Sequence, residues 1–189
     1  MGSLTIAETL EREAQVIANG WSEEQLLNLA GEQLGRAIGR YFPDPGRVVG
    51  YLGKGHNAGD TLVALRVLRD QFGWEIATRH GYPIAEWSSL TQKKWDQLGS
   101  RVALDRCPDW QSFEGPLVLL DGLLGSGAAG ELRGPLIQLG AEMATLRSQA
   151  GARVAAVDLP SGIAPDTGEI FTHTVIADVT FMIGNAKRG

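Results

Sequence analysis

Three apolar runs of strand length, RVVGYL at 47–52, PLVLL at 116–120 and RVAAV at 153–157, pass directly into loops of glycine and polar residues. The loops read GKGHNAGD, DGLLGSG and DLPSG, the last two opening on Asp121 and Asp158. Apolar strands separated by stretches with helical periodicity favour a mainly parallel sheet covered on both faces. In such a sheet ligands gather beyond the carboxyl ends of the strands, most of all where strand order reverses. The three loops are therefore where function is to be sought.

The remaining pattern fits this frame. Residues 4–19 have apolar positions near helical spacing, stopped by Gly20, and Ser22 with Gln25 forms a capping-box signature for a second helix running to about Tyr41, ahead of Pro43 and Pro45. Downstream, the spacing predicts a strand at 47–52, a helix at 60–72, a strand at 74–78, a helix at 87–98 and a short strand at 101–104. Strand 116–120 is followed by a helix at 131–149, strand 153–157, and a last strand within 175–183.

In the first loop, Gly53, Gly55 and Ala58 match G-x-G-x-x-[G/A] between a strand and a helix, a context in which backbone N–H groups and the helix's positive end can hold a phosphate. The blander reading stands beside it: a tight connection with Asp60 as helix cap. The dinucleotide fingerprint also expects an acidic residue at the end of the second strand, where this chain has Arg79 and His80, which argues against an ordinary NAD-linked dehydrogenase. A P-loop is excluded because Lys54 precedes the helix start and no Lys-Ser/Thr pair follows the glycines. No G-x-S-x-G surrounds Ser161, so a serine hydrolase is disfavoured.

Taken together the loops favour a ligand crevice. Asp60, Asp121 and Asp158 all approach it, a phosphate-bearing ligand would add negative charge, and Lys54 offsets only part of this. A bound cation follows as a physical expectation, with the Asn57 amide oxygen, the Asp121 carboxylate and the Ser161 hydroxyl as hard oxygen ligands. His56 is either a ligand contact or a backbone-bonded loop residue. His80 and His173 lack metal-ligand spacing and read as surface or structural. Cys107, the only cysteine, has no histidine base and reads as inert, and Trp74, Trp87, Trp95 and Trp110 read as core or interface.

Composition bounds the alternatives. At 189 residues with 43% hydrophobic and 21% charged residues, one globular domain over 1–189 is expected. The net charge of −5 gives no electrostatic case for nucleic acid. No apolar run approaches the roughly 20 residues that cross a bilayer, and the amino terminus lacks a secretion signal. A single cysteine excludes an intrachain disulfide framework, so the expected setting is cytoplasmic, with an organelle left open.

Beyond single motifs, the chain resembles the amino-terminal domain of the YjeF family, the NAD(P)H-hydrate epimerases. GKGHNAGD is similar to the family's GKGNNGGD, DGLLGSG to its acidic-glycine loop and VDLPSG to its third strand-end motif, with TGE at 167–169, ADVTF at 177–181 and KRG at 187–189 extending the match. The resemblance implies a three-layer α/β/α, Rossmann-like domain with a mainly parallel sheet and amino-terminal helices, commonly a homodimer. It implies interconversion of the R and S forms of hydrated NADH or NADPH, with a separate or carboxyl-terminally fused ADP- or ATP-dependent dehydratase consuming the S form.

By position it assigns His56, Asn57, Ala58, Gly59 and Asp60 to one substrate loop, beside Lys54. Gly125, Ser126, Gly127, Ala128, Ala129, Gly130 and Glu131 form the other, with Asp158 as a further contact. Asn57, Asp121 and Ser161 fall on the potassium positions. His56 and Ala58 depart from the family's asparagine and glycine, and the chain ends after KRG where relatives continue into another strand, so the expectation is a shortened domain or the front of a longer protein. The implied reaction needs an acid/base at the C6 hydroxyl of the reduced nicotinamide, for which Asp158 is the first candidate and Asp60 the second. The other readings are a non-catalytic nucleotide-binding or interaction module and, less favoured, an NAD-linked oxidoreductase.

Overall fold

The computed structural model describes residues 3–99, 102–109, 115–128 and 130–184. Five parallel strands, β1 (Arg47–Leu52), β2 (Glu75–His80), β3 (Leu117–Gly122), β4 (Arg153–Val157) and β5 (Val179–Phe181), form one sheet in the order β2-β1-β3-β4-β5. The order reverses between β1 and β3, which are paired in register with Tyr51 beside Asp121. Their carboxyl ends thus deliver the first and second glycine loops side by side at the switch point.

Alternation along the strands builds two cores. Val48 and Leu52 of β1 and Val118 and Leu120 of β3 face α2 (Glu23–Tyr41), α3 (His56–Phe72) and α4 (Ser89–Leu98), with Leu34, Ile38, Leu62 and Leu65 as their partners. Val49, Tyr51 and Leu119 face α5 (Pro135–Gln149) through Leu139, Met143 and Leu146. Buried on both sides, the central strands carry apolar residues at successive positions, which is the parallel-sheet pattern read from the sequence. The molecule is the three-layer α/β/α, Rossmann-like fold expected.

Helix α2 starts where its capping box predicts: Ser22 N–H donates to Gln25 Oε1 at 2.8 Å and Gln25 N–H to Ser22 Oγ at 3.2 Å. It meets α3 through Gly31, Gly35 and Gly39, spaced one helical turn apart. A Cβ on Gly35 would stand 2.7 Å from Val67 Cβ, so the two backbones approach as only glycine allows. By contrast α1 (Ile6–Ala18) buries no residue, although Thr5 and Glu8 box its start and Ile6 N–H donates to Asp166 Oδ1 at 2.9 Å.

Several boundaries differ from the sequence expectation. Helix α3 begins at His56 with Gly55 as its cap, so Asp60 does not cap it. Strand β2 extends to His80, and Trp74 instead closes the α3 terminus by donating its N–H to Leu68 O at 3.1 Å. Helix α5 starts at Pro135, not 131, because Gly134 at φ 54° turns the chain and proline favours the first helical position. β5 is confined to Val179–Phe181. The short strand expected at 101–104 amounts, among the described residues, to one parallel bridge between Ala103 and Thr78. Arg101 lies outside the described residues, as do Trp110 and the KRG end. No described helix is long and apolar enough to cross a membrane.

Candidate active site

The crevice is built on close backbone contact between the first two loops. Gly53 N–H donates to Gly122 O at 3.1 Å, and a Cβ on Gly53 would overlap the Leu123 carbonyl oxygen. Helix α3 then starts within three residues of β1. Gly55 O accepts the N–H of Ala58 and Gly59 at 3.1 and 3.3 Å, while His56 and Asn57 occupy the first two helical positions, whose N–H groups have no acceptor within the helix. Those N–H groups and the helix's positive end face the strand-end crevice. Ala58 is buried with helical geometry, so its methyl group in place of a glycine is unstrained.

Asp121 is fully buried at the end of β3. Its carboxylate accepts Ser161 N–H at 2.7 Å, Ser161 Oγ–H at 2.6 Å and Leu123 N–H at 3.3 Å. Burial pushes it up to about 6, against these hydrogen bonds, which favour the charged form. Among the described residues no cationic side chain pairs with it. Ser161 Oγ in turn accepts Leu124 N–H at 2.9 Å, which leaves one lone pair of the hydroxyl uncommitted. Next along the same loop, Gly125 packs on Asn57 so closely that a Cβ would stand 2.9 Å from the Asn57 Cβ. The Asn57 amide makes no hydrogen bond among the described residues, and its Nδ2 is buried. A buried carboxylate, a hydroxyl lone pair and the Asn57 amide oxygen, which accepts no hydrogen bond among the described residues, are linked through one loop as hard oxygen donors of the kind a monovalent cation takes.

Asp158 follows β4. Its φ of 70° is unusual for a residue other than glycine and stores backbone strain of about 1–3 kcal/mol. The strained turn brings Oδ2 to the Ser126 N–H at 2.9 Å, while Asp158 N–H is tied to Phe181 O at 2.9 Å. Asp60, one turn into α3, is 9% exposed. Burial, then the charge of Asp158, then that of Glu13 hold its carboxyl well above the usual carboxylate range.

Two cavities flank the start of α3 and share His56. One, of about 410 Å³, is lined by the glycine loop, Leu123–Gly125, Gly127, Ala128 and Tyr82, and among the described residues Lys54 is its one formally charged side chain. The other, of about 730 Å³, lies between α1, α2 and the chain after β5. It is largely apolar and carries Asp60, Glu13 and Glu23, with no lysine or arginine among the described residues that line it.

The structure thus brings Lys54, His56, Asn57, Gly125, Gly127 and Ala128 to one cavity wall, with Ser126 and Asp158 bonded beside it. Gly59 packs inward on Leu27 and Thr91. Gly130, at φ 138°, and exposed Glu131 line neither cavity, and Ala129 lies outside the described residues. Sequence reasoning missed the supports of the loop. Lys54 O accepts Ser88 N–H at 2.9 Å, and Gly55 O accepts Thr91 Oγ1–H at 3.0 Å. Ser88 also caps α4, accepting Thr91 N–H at 3.3 Å.

Arg79, at the position of the missing ribose carboxylate, is committed elsewhere. It binds Glu142 bidentately at 2.8 and 2.9 Å, and Tyr51 OH donates to the same carboxylate at 2.8 Å. His80 is structural as expected, edge-on to Trp87 and Trp95, and Trp74, Trp87 and Trp95 are buried. His173 is exposed. Burial and Glu142 push the Cys107 thiol up, consistent with an inert group.

A doubly wound parallel sheet whose switch-point loops pair helix-start N–H groups with buried carboxylates defines a Rossmann-like ligand-binding domain. The family model described as "YjeF-related protein N-terminus" matches residues 23–189, and the chain belongs to that family. It is 32% identical over 95% of its length to a bifunctional NAD(P)H-hydrate repair enzyme of Coxiella burnetii and 35% identical over 90% to one of Methanopyrus kandleri. It spans about a third of those proteins, 36% and 35% respectively. An NAD(P)H-hydrate epimerase of Cenarchaeum symbiosum is 27% identical over 91% of this chain and 80% of its own. The crystal structure of yeast ynu0 shares the fold, with a TM-score of 0.78 over 100% of this chain and 82% of that one at 20% identity.

Proposed function

We propose that the chain is an NAD(P)H-hydrate epimerase domain that interconverts the R and S forms at C6 of the hydrated nicotinamide. The observation that carries this reading is the Asp158 carboxylate held by Ser126 N–H on the second glycine loop, beside the buried Asp121 and Ser161 pair. Burial, then the charge of Asp158, holds the Asp60 carboxyl above its ordinary range, so that it keeps its proton at higher pH than a carboxyl in water.

A carboxyl proton has a use in the reaction. Donated to the C6 hydroxyl, it lets the C6–O bond break with loss of water while the ring-nitrogen lone pair forms a C=N bond. The resulting planar cation is stabilised by the ionised carboxylate. Water then adds to the opposite face and gives its proton back to the carboxylate, so nothing is oxidised or reduced. Asp158 is the group we assign to the proton transfer, with Asp60 as the second candidate. Potassium, held by Asn57, Asp121 and Ser161, would offset carboxylate charge and fix the loops. The buried Asp121 carboxylate, with no cationic side chain beside it among the described residues, and the Asn57 amide oxygen fit that role. A dehydratase acting on the S form is the partner activity that this chemistry requires, and a homodimer is the assembly we expect.

The test is to give the protein pure R-hydrate of NADH and follow appearance of the S form by chiral chromatography, with potassium or lithium as the only monovalent cation. Faster interconversion in potassium, lost in Asp158→Asn, is expected. Saturable nucleotide binding with no interconversion would reduce the domain to a binding module.

A further inference from the structure

The two cavities at the α3 start differ in charge, and the difference orients a dinucleotide. Among the described residues Lys54 forms no ion pair and is the one formal charge on the smaller cavity. The carboxyl groups, Asp60, Glu13 and Glu23, belong to the larger one, and Asp158 lies at the β4 end of the crevice. A diphosphate near Asp60 and Asp158 would meet like charge. Over the α3 amino terminus it meets the N–H groups of His56 and Asn57 and the Lys54 ammonium.

What fixes that ammonium is the residue two past β2. Lys54 Nζ sits 4.9 Å from the centre of the Tyr82 ring, within cation–π range. The ring belongs to an anchored segment: the Tyr82 carbonyl accepts from Trp87 Nε1 at 3.2 Å and from His80 Nδ1 at 3.0 Å in the tautomer with the proton there. Both Trp87 and Trp95 are buried against His80. From the other side, Ser88 and Thr91 hold the Lys54 and Gly55 carbonyls away from the cavity.

We infer that Tyr82 is a positioning residue that holds Lys54 over the crevice for the diphosphate of the substrate, so that the adenosine half lies toward β2 and the hydrated ring toward Asp158. This rests on the dinucleotide reading above and adds the direction in which the substrate lies. It also accounts for the missing acidic residue at the end of β2: a ring-seated cation occupies that side of the site, with Arg79 withdrawn into its pair with Glu142.

ADP-ribose, which carries the diphosphate and adenosine but no nicotinamide, is the probe. Titrated calorimetrically, it is expected to bind the protein, with Kd raised about tenfold by Lys54→Ala and by Tyr82→Leu. The double variant is expected to be no weaker than Lys54→Ala alone, because Tyr82 acts through the lysine. Tyr82→Phe, which keeps the ring, should recover the affinity that Tyr82→Leu loses, and this separates the cation–π contact from damage to the fold. With the hydrate as substrate, Tyr82→Leu should raise KM far more than it lowers kcat. Failure of ADP-ribose to bind, unchanged affinity in Lys54→Ala, or additive losses in the double variant would overturn the assignment. Epimerisation measured in the same preparation decides the proposed activity separately.

Discussion

The smaller cavity and the larger one are separated by little more than the first turn of α3, yet they offer opposite chemistry. On one side stand helix-start N–H groups and a seated lysine, with no carboxylate among the described lining residues and Asp158 bonded just behind the loop at Ser126; on the other a largely apolar groove where Asp60 is kept short of water. On the proposed reading the contrast divides labour within one substrate, with affinity at Lys54 and the α3 start and proton transfer at Asp158, behind the second glycine loop, and Asp60. Substitutions should therefore sort by kinetic constant, with acidic-side changes lowering kcat and basic-side changes raising KM.

The largest effect is expected from Asp158→Asn, which should reduce kcat for R/S interconversion by about 10²–10⁴-fold with a small change in KM. A drop confined to KM would break the division. Next comes Gly53→Ala, whose Cβ would run into the Leu123 carbonyl and force the two loops apart. A stability loss of about 1–3 kcal/mol in urea titration is expected, together with weaker ADP-ribose binding. Smaller still is Thr91→Val, which removes the hydroxyl bonded to Gly55 O. KM should rise about three- to tenfold with kcat retained, in keeping with one buried hydrogen bond, and Thr91→Ser should restore it.

The smallest effect concerns stability alone. Folded Asp60 holds its proton more tightly than the unfolded chain does, so raising pH above the ordinary carboxylate range, about 4, progressively costs stability until the raised folded value is passed. Asp60→Asn removes that cost. The variant should gain in urea midpoint over the native protein at pH 8 and not at pH 4; an equal gain at both would mean that burial does not restrain ionisation of this group.

The layered fold was readable because strands buried on both faces leave uninterrupted apolar runs, and the three strand-end loops announced themselves through glycine and aspartate. The helix start at His56 was not readable. Asp60 has the chemistry of a cap, whereas the real cap, Gly55, contributes no side chain, and what places it is the contact of Gly53 with Leu123 from a loop some seventy residues away. Tyr82 escaped for a related reason. The search at the end of β2 was for a carboxylate, and an aromatic ring two residues later gains meaning only once Lys54 is seen above it. A cation site was suggested by three scattered oxygen-bearing residues, and potassium only by the family resemblance. Their link through Leu124 and Gly125 depends on backbone contacts that leave no mark in composition.

The glycine seam of α2 reaches the chemistry by an indirect route. A Cβ at Gly31 would lie 2.9 Å from the Asp60 carbonyl oxygen and 2.5 Å from Val63 Cβ, so a side chain there would lever α3 outward and admit solvent to the carboxyl one turn away. The acidity of Asp60 is in this way tied to a neighbouring helix that adds no polar group to it, and on the proposed reading the pH profile of the domain would shift on substitution at Gly31 with every crevice side chain unchanged.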